Sequence, residues 1–309
     1  MKNKRVLVVL GGTSGERAVS LVSGRACIKA LKKKGYKVST FDPKKKPLNL
    51  IDKNKTDIIF NALHGKDGED GVAQSYFEYL RIPYTHSGIN SSYNAMNKII
   101  SKEIFRKNKI ITPLYFVLKK KIYNKINLNK ILKKKGMSFP VVIKPVSEGS
   151  SIGVKICKNI SELNKASKSL FKKYIELILE SYIGGQEIQV AVLNKAPLGA
   201  IELEPKRKFY DYKAKYSKAA KTKHIMPANL KESKYKEVLK IAKKAHYILG
   251  CKGITRSDFK FFKNRFYLLE INTQPGMTSL SLVPEIASHK RISFESLVEK
   301  LLLNASLNR

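Results

Sequence analysis

The chain has 309 residues, of which 61 are Lys or Arg and 24 are Asp or Glu, for a formal net charge of +37. With 43% hydrophobic residues it is too apolar to remain disordered despite that charge. No apolar run approaches the ~20 residues of a membrane-spanning helix, and the apolar stretch after residues 1–5 is too short for a secretory signal. A cytoplasmic protein of about two domains is therefore expected from length and composition, with no membrane partner. Cys27, Cys157 and Cys251 lack any C-x-x-C spacing and are expected to be reduced structural thiols.

The charge is made of 51 Lys and only 10 Arg, alongside 30 Ile and 19 Asn. Lys, Ile and Asn share A/T-rich codons, so nucleotide bias accounts for lysine wherever the surface tolerates it. A base-reading protein enriches Arg for its bidentate fork. The lysine clusters at 32–34, 44–46, 119–121 and 133–135 fall at predicted helix ends or loops, where charge runs are solvated faces. No specific nucleic-acid partner is expected.

Along the chain, a continuous β-branched run at 6–10 ends in Gly11-Gly-Thr-Ser-Gly15 and is followed by an amphipathic helix over 17–34 and a strand at 36–41, a βαβ opening. A third buried strand at 57–63 ends in the glycine-rich, charged loop 64–71. Loops at the carboxyl ends of parallel strands are where α/β proteins bind ligands. A helix at 72–80 follows, and a first boundary is placed near residue 94. The middle segment reads as helix 92–107, strand 114–118, helix 128–135 and strand 139–144, then the Gly/Ser-rich stretch 145–153, whose bare N–H groups suit a phosphate. A helix at 161–173 and a strand at 175–182 close this unit. Beyond Glu187, strands alternate with a long helix at 232–249, and a hairpin pairs 252–261 with 265–271.

That hairpin carries Arg256-Ser-Asp258 and Glu270-Ile-Asn272. Residues two apart on a strand share a face, so two carboxylates and an amide oxygen suit a hard cation such as Mg²⁺, with Arg256 as a phosphate counter-charge; a solvent-facing strand pair with cross-strand ion pairs is the alternative. Lys144 ends a buried run with no polar partner, and a buried lysine needs an anion. Lys98 and Lys215 are further candidate phosphate cations. No G-x-x-x-x-G-K-[ST] is present, and Gly11-Gly-Thr-Ser-Gly15 lacks the full dinucleotide spacing.

Taken together, five blocks in order resemble the D-alanine–D-alanine ligases of the ATP-grasp superfamily: Leu10 to Arg17 with Val19-Ser20, Ala62 to Gly65 with Gly68 to Gly71, Val142 to Pro145 with Glu148 to Gly153, Phe209 to Tyr212 with Lys215-Tyr216, and Leu269 to Asn272 with Pro275 to Ser279. The resemblance implies an α/β ATP-grasp fold, with an N-terminal Rossmann-like domain over 1–94 and ATP-grasp subdomains over 95–184 and 185–309. It implies ATP-dependent joining of two D-alanines through an acyl phosphate, for peptidoglycan precursor synthesis, in a homodimer. ATP would be held by Lys98, Lys144 and Lys215, by a lid containing Glu148, Gly149 and Ser151, and by Glu180, Tyr182, Ile183 and Glu187. Mg²⁺, or Mn²⁺ in its place, would sit on Asp258, Glu270 and Asn272. Glu16 would pair with the first D-alanine's ammonium, His64 would approach its carboxylate, and Glu16, Ser150 and Tyr216 would form a cluster joining the domains. Arg256 and the Gly276 N–H would steady the oxyanion, and Ser281 and Leu282 would receive the second carboxylate.

Four departures from the family pattern stand out: Ala18 for Glu, Asn97 for Asp, Ser257 for an apolar residue, and a basic stretch at 217–223. Ligases that join D-alanine to D-lactate usually have Phe where Tyr216 stands, so the tyrosine favours the dipeptide. A basic nucleic-acid binder that keeps the fold is the rival from another class; it predicts salt-sensitive polynucleotide affinity and no ATP turnover.

Overall fold

The computed structural model describes residues 3–204, 222–278 and 281–308. It opens with β1 (Arg5–Val9), the middle strand of a parallel sheet ordered β2-β1-β3. Both faces of β1 are covered, which is why its sequence is an unbroken apolar run rather than an alternating one. Val6 and Val8 face one core and Leu7 and Val9 another. Between β1 and β2 (Lys37–Phe41) lies α1 (Arg17–Lys33), and β3 (Ile58–Asn61) leads through the 64–71 loop into α2 (Val72–Tyr79). The parallel βαβ opening agrees with the sequence reading.

The helix expected over 92–107 is two helices, α3 (Ile89–Met96) and α4 (Lys98–Lys107). Asn97 breaks them: its backbone is extended and its side-chain oxygen accepts from the N–H groups of Ile99 and Ile100. Apolar spacing runs through both helices and conceals the break, whereas an Asn side chain that competes for backbone N–H groups favours a cap. A cap needs only an acceptor oxygen, so Asn97 serves where the family commonly has Asp.

A four-stranded antiparallel sheet ordered β4-β7-β5-β6 follows. It is built from β4 (Tyr115–Lys119), a short α5 (Lys120–Tyr123), α6 (Leu128–Lys134), β5 (Val141–Pro145), β6 (Lys155–Cys157), α7 (Ile160–Leu170) and β7 (Glu176–Ser181). Leu118, Leu132, Ile143, Leu163 and Leu179 share its core. The last sheet, ordered β10-β9-β8-β11-β12, is also antiparallel, with β8 (Gln186–Leu193), β9 (Ala196–Glu204), β10 (Lys223–Ile225), then α8 (Glu232–Ile248), β11 (Ile254–Phe262) and β12 (Arg265–Asn272). Lys263 and Asn264, at φ +47° and +62°, turn β11 into β12, as a two-residue hairpin turn of positive φ requires.

The cores knit the layers together. Phe105 of α4 packs with Val190, Phe259 and Val238 against the large sheet. The closing helices α9 (Leu282–His289) and α10 (Phe294–Leu303) share a core with Val6, Phe60 and Ile201, and Lys33 and Lys34 reach Glu295 and Glu299 at 2.8 and 2.9 Å. Among the described residues no helix is long and apolar enough to cross a membrane.

Ser257 points away from the hairpin's charged face, opposite Val190 and Ile271, and its Oγ is buried without a hydrogen-bond partner among the described residues. An orphaned buried hydroxyl costs about 1–3 kcal/mol. Ser257→Ala should therefore stabilise the protein by about 1 kcal/mol in urea unfolding; an equal loss would show that the hydroxyl is bonded in solution.

Candidate active site

The ends of β5 and β7 bring Lys144 and Glu180 together. Glu180 is opposite Val142, and Lys144 is two residues on from Val142, so their side chains are diagonal neighbours on one face. Lys144 Nζ lies 2.9 Å from Glu180 Oε2, and Lys102 Nζ, from α4, lies 3.1 Å from Oε1. The anion that a buried Lys144 requires is thus inside the chain. Burial acts to raise the Glu180 pKa, but the two ammonium groups outweigh it and hold the carboxyl below the ordinary glutamate range. Burial likewise acts to lower Lys144, yet Glu180, Glu270 and Asp258 leave it raised.

Lys144 and Glu180, but not Lys102, line one wall of a cleft between the central and C-terminal sheets. Lys98, Glu148, Ser151, Tyr182, Ile183, Glu187, Asp258 and Glu270 line it as well. Lys98 is the first residue of α4; its Nζ donates to the Glu148 carbonyl at 2.6 Å and lies 3.5 Å from Glu270 Oε2. Glu148's carboxylate accepts from Tyr174 Oη at 2.9 Å, and Glu187 pairs with Lys260 at 3.0 Å. The Tyr182 N–H donates to the Pro140 carbonyl at 3.3 Å and is therefore engaged within the chain. Ser150 and Ser151 sit at φ +48° and +61°, strained for non-glycine residues in the loop that borders the cleft.

On the C-terminal wall the register sets Arg256 opposite Asn272 and Asp258 opposite Glu270. All four lie on one face. Arg256 forks onto Asp258, with Nε to Oδ1 at 2.7 Å and Nη2 to Oδ2 at 2.9 Å, and the Asn272 amide donates to the Arg256 carbonyl at 3.5 Å. Asn272 and Gly149 line a smaller cavity that continues from the cleft past Lys98 and Glu270. Among the described residues no three His, Cys, Asp or Glu side chains form a closed metal cage. Two facing carboxylates and an amide oxygen nonetheless fit Mg²⁺, which takes one or two protein carboxylates and completes its shell with water and phosphate oxygens. Arg256 and Lys98 meanwhile balance the two acids.

At the mouth of the parallel sheet, Glu16 is buried and accepts from the Ser150 hydroxyl, while its Oε1 has no hydrogen-bond partner among the described residues. Gly149 passes so close that a Cβ there would collide with that carboxylate. His64 Nε2 lies 3.3 Å from Ser23 Oγ, which itself accepts from the Met277 N–H at 3.2 Å. On the other side of the ring, Nδ1 lies 3.8 Å from Glu69 Oε2. Burial raises the Glu69 carboxyl, which His64 only partly offsets. Gly276 abuts Ser281, whose Oγ bonds the Thr278 hydroxyl at 2.8 Å. Leu282 is buried in the core at the start of α9, so only its backbone is open to a ligand. Lys215 and Tyr216 lie outside the described residues.

The sequence reading missed Lys102, four residues after Lys98 and therefore on the same helix face; that spacing was the available signal. It also missed Glu69, and Arg17, which holds the glycine turn by bonding the Gly12 carbonyl at 2.8 Å and both oxygens of Asp42 at 2.9 and 2.7 Å.

A parallel N-terminal layer, with two antiparallel sheets closing on a lysine- and carboxylate-lined cleft, is the ATP-grasp architecture. Residues 104–303 match the family model described as D-ala D-ala ligase C-terminus. The D-alanine–D-alanine ligase of Pelagibacter ubique is 54% identical over 99% of both chains. The crystal structure of the Bacillus anthracis D-alanine–D-alanine ligase is 35% identical, covers 97% of each chain and superposes with a TM-score of 0.86. The same enzyme complexed with ATP is 32% identical over 98% of this chain and 97% of its own, with a TM-score of 0.83. The chain belongs to the D-alanine–D-alanine ligase family.

The hydrogen bonds from Arg17 hold Asp42's carboxyl down at about 2. Its folded value is below the ordinary one, so the stabilisation is complete above the normal aspartate range and is lost as pH falls through about 2. A carbon-13 NMR titration should find Asp42 ionised to that pH, and Arg17→Met should return its midpoint toward 3.8; an unmoved midpoint would remove Arg17 as the cause.

Proposed function

We propose that the protein joins two D-alanines to D-alanyl-D-alanine at the expense of ATP, releasing ADP and phosphate, and that the dipeptide enters peptidoglycan precursor synthesis. The observation that carries this is the meeting of Lys98 and Lys144 with Asp258 and Glu270 in one cleft, cations for a polyphosphate beside acids for its metal. Glu180 and the Tyr182–Ile183 backbone line the same cleft and would face adenine, with Glu187 on the ribose hydroxyls.

Carboxylate oxygen is a poor leaving group, so the first D-alanine attacks the γ-phosphate and becomes an acyl phosphate. Glu16, through its unpartnered oxygen, holds that substrate's ammonium, with His64 at its carboxylate end. The second D-alanine, seated by Ser281 and the Leu282 N–H, attacks through its neutral amine. Arg256 and the Gly276 N–H are pre-placed donors for the tetrahedral oxyanion. The Glu148–Gly153 loop excludes water, which would otherwise hydrolyse the acyl phosphate. Asp258, Glu270 and Asn272 hold Mg²⁺, or Mn²⁺ in its place, which when bound neutralises phosphate charge. The chain segments 1–94, 95–184 and 185–309 each contribute one wall of this site.

The ATP requirement and the three buried free cysteines fit the cytoplasm. A homodimer is supported by Val72, Tyr76 and Tyr79, exposed at helical spacing on α2 beside exposed Ile89 and Tyr93 of α3.

Phosphate release from ATP should require D-alanine and Mg²⁺ and fail with L-alanine; no release with D-alanine would overturn the proposal. Glu270→Gln should cut kcat on the order of 100-fold or more at unchanged melting temperature, and near-normal turnover would remove it from the metal site. Light scattering should give twice the chain mass, and Tyr79→Glu the chain mass alone; a dimeric variant would move the interface elsewhere.

A further inference from the structure

Lys102 has no place in the chemistry described above. Its side chain is fully buried and does not line the cleft; among the described residues it reaches Glu180 Oε1 at 3.1 Å and the Leu269 carbonyl at 3.5 Å, with the Tyr115 ring 5.9 Å away. A solitary buried ammonium is costly, and a structural ion pair would need just one lysine for Glu180. Here the carboxylate carries two, one on each oxygen, and only Lys144 is at the cleft surface.

The two lysines differ in what a nucleotide does to them. A polyphosphate in the cleft draws the Lys144 charge toward itself. If Lys144 were Glu180's sole partner, that transfer would leave a buried carboxylate uncompensated, and such a group takes up a proton instead. We propose that Lys102 is a positioning residue that keeps Glu180 ionised and aimed while Lys144 is given over to the nucleotide's phosphates. The charges that act on Glu180 among the described residues are those of Lys102 and Lys144; Glu270 and Asp258 act on Lys144, and Glu270 on Lys102, while Tyr115 and Val142, opposite Glu180 on β4 and β5, add no charge. Burial lets Lys102 lose its proton at about 8, so the arrangement operates below that pH.

The inference rests on the reading that Lys144 binds phosphate, and proton counting separates the two. Calorimetric titration with the non-hydrolysable analogue AMPPNP and Mg²⁺, in buffers of differing ionisation enthalpy between about pH 6.5 and 7.5, gives the protons exchanged on binding. Lys102→Met should take up about one proton more than the native enzyme, so its Kd should weaken about tenfold per pH unit relative to native. Lys102→Arg should restore the native count, and Lys102→Met with Glu180→Gln should abolish the extra proton. Equal proton counts for Lys102→Met and the native enzyme would overturn the inference while leaving the ligase reading intact. Native affinity in Lys144→Met would overturn the reading on which it rests. Melting temperatures of all variants, read alongside, separate misfolding from either result.

Discussion

A nucleotide cleft must be charged before its ligand arrives and remain stable afterwards, and that constraint organises the centre of this protein. Lys98, Lys102 and Lys144 are buried here, and a buried cation without a counter-ion would unfold the site or lose its proton. The chain answers with internal partners: Glu180 for Lys144 and Lys102, Glu270 near Lys98, and Asp258 for Arg256. Each of these carboxylates lines the same cleft. The ligand-free cleft is therefore a set of ion pairs that a ligand can exchange for its own charges.

The same economy governs the contacts between layers. Glu16 of the parallel layer meets Ser150 of the loop that borders the cleft. Asn61 at the end of β3 donates to Gln274, and Ser23 joins His64 to the Met277 backbone. These polar ties are few, buried and directional, while the bulk of the adhesion between the parallel sheet and the closing helices comes from a shared apolar core. Apolar area holds the layers together without specifying an orientation; the hydrogen bonds at the site set which side chains face each other.

How much was legible in advance differs by element. The parallel strands, the two long helices and the 252–271 hairpin were readable because buried strands and amphipathic helices leave strong periodic signals. The break at Asn97 was not, because a single capping side chain interrupts no apolar pattern. Lys98 thereby moved from mid-helix to the first turn, where its ammonium reaches both the Glu148 carbonyl and Glu270. Among 51 lysines, Lys102 carried one signal, its spacing of four from Lys98 on the same helix face, and that spacing does not tell a buried lysine from a solvated one without knowing what the helix packs against.

The chain alone was sufficient for the fold class and the family, because those depend on local pattern and on motifs whose order survives in one dimension. Pairing was left to the tertiary structure. Nothing in residues 102, 144 and 180 announces that one carboxylate serves two lysines, or in residues 16 and 150 that they touch. Such contacts arise where β5, β7 and α4, or two separate layers, converge. Electrostatic compensation depends on distances of about 3 Å between groups far apart in sequence, and only folding creates those distances.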